Sequence, residues 1–310
     1  MRVVFFGTPE PGAVALEELS ASRHDVAAVV TQPDRPRGRS GRRQPPPVKE
    51  RALAAGLPVL QPGSPREDGF ARELAAFQPE VCAVVAYGHI LPPDVLAVPA
   101  RGFVNVHFSL LPRYRGAAPV QRALIAGEYE TGVTTFLLEP TLDTGPILAV
   151  AREAIRPEDT AGSLMDRLAR AGARLLVETL DGIEAGTQQP KRQDSSGATP
   201  APKVRPEEGE IDWRKPAGVI ANLVRGLNPA PGAYTTFRGK RLKLWRASPT
   251  GEAAAAPPGT LVDLGSGRAG VVTGSGVLEL GEVQLEGGRR MDAASFSRGH
   301  RPAFGSEVLG

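Results

Sequence analysis

The sequence predicts an α/β protein with a mainly parallel sheet in its first part and a small β-barrel in its second. Short apolar runs without alternation recur through the first half of the chain. Helical patterns separate these runs, as in a parallel sheet that is covered on both faces. After Glu208 the pattern changes to short alternating stretches between Gly-rich turns, which is typical of a small closed barrel.

The predicted elements of the first part follow from these runs. Strands are expected over residues 2–6, 25–31, 57–60, 81–87, 103–107, 132–138 and 147–151. Helices are expected over residues 13–19, 48–55, 67–77 and 161–184. Thr160 is the expected N-cap of the longest helix and Gly186 its stop.

A polar segment divides the chain. Residues 187–209 are rich in Pro, Ser and basic residues and contain few apolar ones, which is linker composition. The predicted domains are therefore 1–186 and 210–310, joined by this linker. Within the second domain, strands are expected near 234–237, 241–245 and 277–280, and a helix within 211–227.

Composition excludes several classes of protein. Hydrophobic residues make up 41% of the 310 residues and charged residues 23%, so the chain can form a globular core. Aromatic residues make up only 5%, which argues against a stacking platform for many unpaired bases. The single cysteine, Cys82, excludes an intrachain disulfide and a Cys-rich zinc site, and its apolar surroundings predict burial.

The start of the chain carries two further expectations. It has no signal-peptide pattern, and no apolar run reaches membrane-spanning length, so we expect a cytoplasmic protein. The turn after the first strand reads Gly7-Thr8-Pro9-Glu10-Pro11-Gly12, which lacks the G-x-G-x-x-G pattern that binds dinucleotides. A nucleotide-binding type of sheet without NAD is therefore expected.

Polar residues end the predicted strand at 103–107. Asn105 and His107 are two residues apart, so their side chains project from the same face of the strand. Ligands of an open parallel sheet bind beyond the carboxyl ends of its strands. Both residues therefore favour a ligand site, although a local hydrogen-bond network would also satisfy them.

Asp143 follows the next predicted strand. It could cap a turn, as Asp often does, or aim a carboxylate at the same pocket and orient His107, and residue types leave these readings even. Asn can stabilise an oxyanion, and His can transfer protons near neutral pH. No nucleophile elbow and no H-E-x-x-H metal motif is present, which indicates direct transfer between two bound substrates without a covalent enzyme intermediate, and we expect no metal.

These motifs resemble those of the folate-dependent formyltransferases. The resemblance rests on Asn105-Val106-His107, on residues 109–119 (SLLPRYRGAAP) and on Leu142-Asp143-Thr144-Gly145. It extends over nearly the whole chain through Gly7-Thr8-Pro9, residues 31–36, 85–88 and 211–213, and Asn228-Pro229. It implies a Rossmann-like formyltransferase domain followed by a small β-barrel (OB-like) domain that binds tRNA.

The resemblance also implies a role for each matching position. The catalytic residues would be Asn105, His107 and Asp143, with Asn105 and protonated His107 stabilising a tetrahedral oxyanion and Asp143 supporting His107. The co-substrate would be 10-formyltetrahydrofolate, whose formyl group passes to the α-amino group of initiator methionyl-tRNA. Its binding residues would be Ser109, Leu110, Leu111 and Pro112, with Tyr87, Gly88, His89, Ile90 and Leu91 around the pterin.

A basic segment follows the second predicted strand, at the expected rim of the site. Residues 33–47 contain one acid, Asp34, and five arginines: Arg35, Arg37, Arg39, Arg42 and Arg43. Charged runs are usually solvated faces. Its position beside the pocket instead favours contact with the phosphates of an anionic macromolecule, which the resemblance identifies as tRNA. Basic residues of the barrel at 238–246 could add phosphate contacts.

Two alternatives stay open. A formyltransferase for a small amine, such as an amino sugar or glycinamide ribonucleotide, would not need the Arg-rich segment or a basic barrel. A non-catalytic RNA-binding protein on this fold would not need an intact Asn105, His107 and Asp143. An assay of formyl transfer to charged tRNA, run beside small amines, distinguishes these alternatives from a tRNA formyltransferase. We also expect the protein to act as a monomer.

Overall fold

The computed structural model describes residues 1–36 and 41–310 and divides the chain into two compact units. The first unit comprises Met1–Pro119, Glu130–Ala154 and Met165–Pro202. The second comprises Val120–Tyr129, Ile155–Leu164 and Lys203–Gly310. The domain borders expected at residues 186 and 210 stay a prediction.

The first unit is built on one large sheet. Its strands, with a short separate ribbon of β3 and β4, are β1 (Arg2–Gly7), β2 (Asp25–Val30), β3 (Arg35–Pro36), β4 (Arg43–Gln44), β5 (Val59–Leu60), β6 (Val81–Val85), β7 (Phe103–His107), β8 (Glu130–Leu137) and β9 (Ile147–Ala154). The order in the sheet is β5-β2-β1-β6-β7-β8-β9. The five strands from β5 to β7 are parallel, while β8 and β9 run antiparallel at one edge. The predicted mainly parallel sheet is confirmed.

Strands β1, β2 and β6 are apolar because both of their faces are covered. Val4 and Phe6 of β1 pack in one cluster with Cys82 of β6, all of them fully buried. The Phe6 ring makes edge contacts with the rings of Tyr87 and Phe103 at centroid distances of 5.4 and 5.3 Å. Such pairs add about 0.5–1.5 kcal/mol beyond their buried area. Burial raises the pKa of the Cys82 thiol, as expected of an inert core cysteine.

Six helices belong to the chain before residue 190. They are α1 (Glu10–Ser20), α2 (Pro47–Ala54), α3 (Phe70–Ala76), α4 (Pro93–Leu96), α5 (Pro119–Ala126) and α6 (Ala161–Glu184). The bounds of α6 are those predicted. Its N-cap is confirmed, because Oγ1 of Thr160 accepts a hydrogen bond of 3.2 Å from the amide of Ser163. Gly186 follows α6 with a φ of 70°, a left-handed conformation that favours glycine.

The second unit contains an antiparallel sheet and two further helices. Its elements are α7 (Ala217–Gly226), β10 (Ala233–Phe237), β11 (Lys240–Pro249), β12 (Leu261–Asp263), β13 (Ala269–Val272), β14 (Val277–Leu285), β15 (Met291–Asp292) and α8 (Ala293–His300). The strand order β10-β11-β14-β13-β12, with β15 beside β14, forms a curled half-barrel. The expected small barrel is confirmed in this form.

The alternation of inward-facing and outward-facing side chains along the strands determines which residues form the core of the second unit. Leu242 and Leu244 of β11 point inward and join Trp213, Phe237 and Phe296 in one buried cluster. The indole Nε1 of Trp213 donates to Oγ1 of Thr235 at 3.1 Å, so its polar atom is satisfied. Within the described residues, no helix combines the length and apolarity that crossing a bilayer would require.

Candidate active site

The site lies at the carboxyl edge of the parallel sheet. Strands β1, β2, β6 and β7 run in the same direction, so the segments that follow them meet at one edge. These segments begin at Thr8, Thr31, Ala86 and Phe108. The motifs that the sequence marks as functional therefore converge, although they are far apart along the chain.

Asn105 and His107 project from the same face of β7. In the antiparallel pairing with β8, Asn105 lies opposite Phe136 and His107 opposite Thr134. Asn105 is half-buried, and its side-chain amide makes no hydrogen bond within the part of the chain that the structure describes. A half-buried amide without a protein partner is available to a ligand, because burial otherwise requires such groups to be paired.

The hydrogen bond of His107 fixes the tautomer of its ring. Its Nε2 lies 2.8 Å from the carbonyl oxygen of Tyr114. A carbonyl can only accept, so Nε2 carries the proton and donates it. Nδ1 is then the nitrogen that is free to accept a proton and release it.

Asp143 meets His107 at Nδ1. The distance from Nδ1 to Oδ2 of Asp143 is 3.7 Å, and both side chains are buried. The same Oδ2 accepts a hydrogen bond of 2.8 Å from the amide of Gly116. The sequence left two interpretations of Asp143 open, a turn cap or a carboxylate that points into the pocket. The structure brings it to His107, and it also forms a turn, with a φ of 54°.

The segment of residues 109–112 is held by hydrogen bonds to its own turn and to β8. The hydroxyl of Ser109 donates to the carbonyl of Arg113 at 2.6 Å. Oγ1 of Thr134 donates to the carbonyl of Ser109 at 2.7 Å and accepts from the amide of Leu111 at 3.2 Å. Leu111 is buried, whereas Leu110 and Pro112 are half-buried. These hydrogen bonds hold the backbone of residues 109–112 in one conformation next to His107.

The segment of residues 87–91 is held by the two motifs that follow β1 and β2. The carbonyl of Tyr87 accepts from Oγ1 of Thr8 at 3.0 Å and from Nε2 of Gln32 at 2.8 Å. The ring of Tyr87 is buried, and burial raises the pKa of its hydroxyl to about 12. Leu91 is also buried. The exposed part of the segment consists of Gly88, half-buried His89, and Ile90, which is 62% exposed.

The Arg-rich segment is described in part. Arg35, Arg42 and Arg43 are exposed, and none forms an ion pair within the described residues. Arg37 and Arg39 lie outside the described residues. Asp34 instead pairs with Lys49 at 2.8 Å. A hydrogen bond from Gln61 and then this lysine lower the pKa of Asp34, so the one acid of the segment is already paired.

The basic residues of the barrel differ in their surroundings. Arg238 forms an ion pair with Glu307 at 2.6 Å. The guanidinium of Arg241 lies 4.4 Å from the ring centre of Tyr234, and the ammonium of Lys243 lies 5.3 Å from that of Trp245. Arg241 and Lys243 alternate with the buried leucines of β11, so both point away from the core.

One cluster outside this site has the spacing of a metal site. The ligand atoms of His24, Asp181 and Glu184 lie within 4.8 Å of one another. Arg23 already pairs with both carboxylates, at 2.6 and 2.7 Å. His24 precedes β2, so this cluster lies at the amino edge of the sheet, opposite the candidate site.

Sequence reasoning missed three groups of the site. Two belong to the backbone, namely the carbonyl of Tyr114 and the amide of Gly116, and backbone groups leave no mark on a sequence. The third is Gln193, whose Nε2 donates to the carbonyls of Asp143 and Gly145 at 2.9 and 2.8 Å. It lies within the segment whose composition predicts a linker, and that composition concealed it.

Comparison with known proteins identifies the class. A family profile described as formyl transferase matches residues 1–180, and one described as formyl transferase, C-terminal domain, matches residues 203–301. The chain belongs to the formyl transferase family. The methionyl-tRNA formyltransferase of Frankia casuarinae is 50% identical over 329 residues, covering 100% of this chain and 96% of that protein. The protein of the same name from Streptomyces coelicolor is 50% identical over 309 residues, covering 99% of each chain.

Solved structures share the fold. HypX from Aquifex aeolicus in complex with tetrahydrofolic acid has a TM-score of 0.65 and 17% identity, covering 98% of this chain and 48% of that one. An N-formyltransferase from Helicobacter canadensis, in complex with folinic acid and dTDP-3-aminofucose, has a TM-score of 0.68 and 17% identity, covering 91% and 98%. At these identities the likeness shows the fold alone.

Proposed function

We infer that the protein transfers the formyl group of 10-formyltetrahydrofolate to the α-amino group of initiator methionyl-tRNA. The observation that carries this proposal is the buried pair of His107 and Asp143, on the same strand end as Asn105, whose side-chain amide has no hydrogen-bond partner among the described residues. These three groups can supply an oxyanion donor, a proton-transfer group and a supporting carboxylate, which suits acyl transfer between two bound substrates. The identity of 50% to methionyl-tRNA formyltransferases over the whole chain supports the choice of acceptor.

The proposed reaction uses each group for a separate task. The methionyl amine attacks the formyl carbon, and the carbonyl oxygen becomes an oxyanion that the Asn105 amide can stabilise. Protonated Nδ1 of His107 is the second donor, because Nε2 is bound to the Tyr114 carbonyl. The bond from the formyl carbon to the folate nitrogen then breaks. The proton lost by the amine passes to that nitrogen through the His107–Asp143 pair.

Residues at the edge of the sheet support the proposed folate site. The half-buried residues Leu110 and Pro112 present apolar surface, and Gly88 and Ile90 are exposed and accessible to a ligand. Backbone groups of residues 88–90 can form hydrogen bonds with the edge of the pterin. The carbonyl of Tyr87 is not available for this, since it already accepts hydrogen bonds from Thr8 and Gln32. We propose no metal and no NAD for the reaction, because direct amine attack requires neither.

The acceptor is proposed to bind through the exposed arginines. Arg35, Arg42 and Arg43 form no ion pair with the residues that the structure describes, and the nearby Asp34 is paired with Lys49. Arg241 and Lys243 of the barrel add positive charge on its outer face. Because charged tRNA occurs in the cytoplasm, we place the protein there. We propose that it acts as a monomer.

The test is formyl transfer from 10-formyltetrahydrofolate to four acceptors: initiator Met-tRNA, elongator Met-tRNA, an amino-sugar nucleotide and glycinamide ribonucleotide. We expect transfer to initiator Met-tRNA above all others. Transfer to a small amine alone would support the alternative formyltransferase. Binding of tRNA without transfer to any acceptor would support a non-catalytic RNA-binding protein.

A further inference from the structure

The segment of residues 188–201, here called the strap, lies along the first unit instead of hanging free. The backbones of Lys191 and Ile147 exchange hydrogen bonds of 2.7 and 2.8 Å. Further along, the amide of Arg115 donates to the carbonyl of Thr199 at 2.8 Å, and the amide of Ala201 donates to the carbonyl of Arg115 at 2.6 Å. The strap therefore contacts both the start of β9 and the segment after His107.

The strap passes close to the two groups that hold the His107–Asp143 pair. The amide of Tyr114, whose carbonyl accepts from His107, donates to Oγ1 of Thr199 at 2.9 Å. Gly116, whose amide donates to Asp143, has a φ of 127°, and a Cβ there would lie 2.6 Å from the carbonyl oxygen of Ala201. Only glycine fits this approach without a shift of the backbone.

Gln193 is the side chain of the strap that reaches the Asp143 turn. Its Oε1 accepts from Nε and Nη2 of Arg115 at 3.1 and 2.6 Å. Its Nε2 donates to the carbonyls of Asp143 and Gly145 at 2.9 and 2.8 Å. One side-chain amide thus makes four hydrogen bonds and joins the turn to the segment after His107.

The Asp143 turn needs such support. Residues 139–142 are exposed, so burial does not fix the approach to Asp143. Asp143 itself has a φ of 54°, a left-handed conformation that few non-glycine residues adopt. Strained residues persist only when their surroundings determine them. Here the two carbonyl contacts of Gln193 hold the backbone on both sides of Thr144.

We propose that Gln193 is a positioning residue, which holds the Asp143 carboxylate against Nδ1 of His107 by donating to the carbonyls of Asp143 and Gly145. This inference rests on the proposed function for its kinetic consequence. The residue does not touch the reacting atoms. It acts through Asp143, so its effect must disappear when the carboxylate of Asp143 is absent.

The test compares two glutamines of the strap. Gln193→Met keeps the volume and removes the four hydrogen bonds. Gln188→Met is the matched control, because Nε2 of Gln188 donates to the carbonyl of Leu148 in β9 and not to the turn. We expect Gln193→Met to lower kcat by up to about 10²-fold, as misplacement of a catalytic group does, with little change in KM for either substrate. Gln188→Met should keep the kcat of the wild type.

Two further measurements separate positioning from general support. In an Asp143→Ala background, Gln193→Met should cost no additional rate. Gln193→Glu keeps the acceptor for Arg115 but loses the donor to the turn, so it should lose as much rate as Gln193→Met. Equal losses at Gln188 and Gln193, a full extra loss in the Asp143→Ala background, or full activity of Gln193→Glu would overturn the proposal.

Amide hydrogen exchange tests the same contact without turnover. Residues 139–146 should exchange faster in Gln193→Met than in the wild type and in Gln188→Met. Unchanged exchange in Gln193→Met would contradict the positioning role even if the enzyme is active. A wild-type protein that transfers no formyl group to any acceptor, but shows the expected exchange difference, would contradict the proposed function and leave the contact supported.

Discussion

Nδ1 of His107 lies 3.7 Å from Oδ2 of Asp143, with side chains that are 7% and 9% exposed. This distance exceeds the roughly 2.7–3.2 Å of an N–H···O hydrogen bond. Catalytic hydrogen bonds are often long in a free enzyme and shorten with bound substrate. Because the amide of Gly116 already bonds to Oδ2, Oδ1 is the oxygen of Asp143 that the proposed reaction can use for the proton of the amine.

Substitution of His107 tests which nitrogen is used. His107→Gln can keep a donor to the carbonyl of Tyr114 but removes Nδ1, the nitrogen proposed to transfer the proton. We expect kcat to fall roughly 10²–10⁴-fold, the usual contribution of a positioned acid or base. Folate binding, measured by fluorescence titration, should be nearly unchanged. Wild-type turnover in a folded His107→Gln protein would show that His107 only supports the Tyr114 turn.

Asn105 and Asp143 should act as a unit with His107. Asn105→Ala removes the proposed oxyanion donor, so we expect a loss of about 10²–10³-fold in kcat. Groups that act together have non-additive effects. The double substitution with Asp143→Ala should therefore be little slower than the slower single variant in single-turnover assays. If the losses of the two single variants multiply in full, the role of Asp143 is only to stabilise the turn in which it lies.

The exposed arginines should control the salt dependence of tRNA binding. Each phosphate contact contributes about 0.7–0.9 to the slope of log K against log salt. Replacing Arg42 and Arg43 with Ala should flatten that slope by roughly 1–2 units and leave folate binding intact. If the segment also positions the acceptor end, kcat falls as well. The control is replacement of Arg66 and Arg72, which are also exposed arginines of the first unit. The same slope in both double variants would make the segment a solvated face.

The ion pair between Arg122 and Glu208 predicts a pH effect on the second unit. Hydrogen bonds from Arg122, then from the amide of Arg205, lower the pKa of Glu208 to about 2. A carboxyl group with a lowered pKa in the folded state stabilises the fold above its unfolded pKa of about 4.3, and loses this contribution as the pH falls toward the folded value. Glu208→Gln should therefore lower Tm at pH 7, and the difference from wild type should shrink below about pH 4.3.

Tryptophan fluorescence can follow the thermal unfolding from which Tm is obtained, because Trp213 and Trp245 both belong to the second unit. Glu207→Gln is the matched control. Glu207 is the exposed neighbour, and its carboxylate forms no ion pair within the described part of the chain. A Tm difference for Glu208→Gln that does not vary with pH would mean that packing, and not the charge of Glu208, is the cause.

The elements that the sequence predicts best are those whose pattern is long or uniform. The 24 residues of α6 have a clear apolar face, a capping Thr160 and a terminal Gly186, and their predicted bounds are those observed. The same-face placement of Asn105 and His107 follows from the period of a strand. Helix α4 was not predicted, because its four residues are too few to show a helical period. Helices α5 and α8, of eight residues each, were not predicted either.

The geometry of the site could be predicted only in part. The position of His107 follows from its place at the end of a strand. The partner of its Nε2 could not be predicted, because it is the backbone carbonyl of residue 114, which every residue type has. The role of Asp143 depends on a backbone turn whose left-handed φ no local motif announces. Gln193 stands in a segment of linker composition, and only the folded path of the chain brings it to that turn.

The path of the strap determines where the chain can be divided. A fragment that ends at Gly186 retains β1 to β9 and all of α6, yet it leaves the carbonyls of Asp143 and Gly145 and the amide of Arg115 without their partners. Such a fragment should fold its sheet but transfer poorly. A chimaera that takes residues 203–310 from a relative should therefore be joined after Pro202, so that one parent protein supplies residues 1–186 together with residues 187–202.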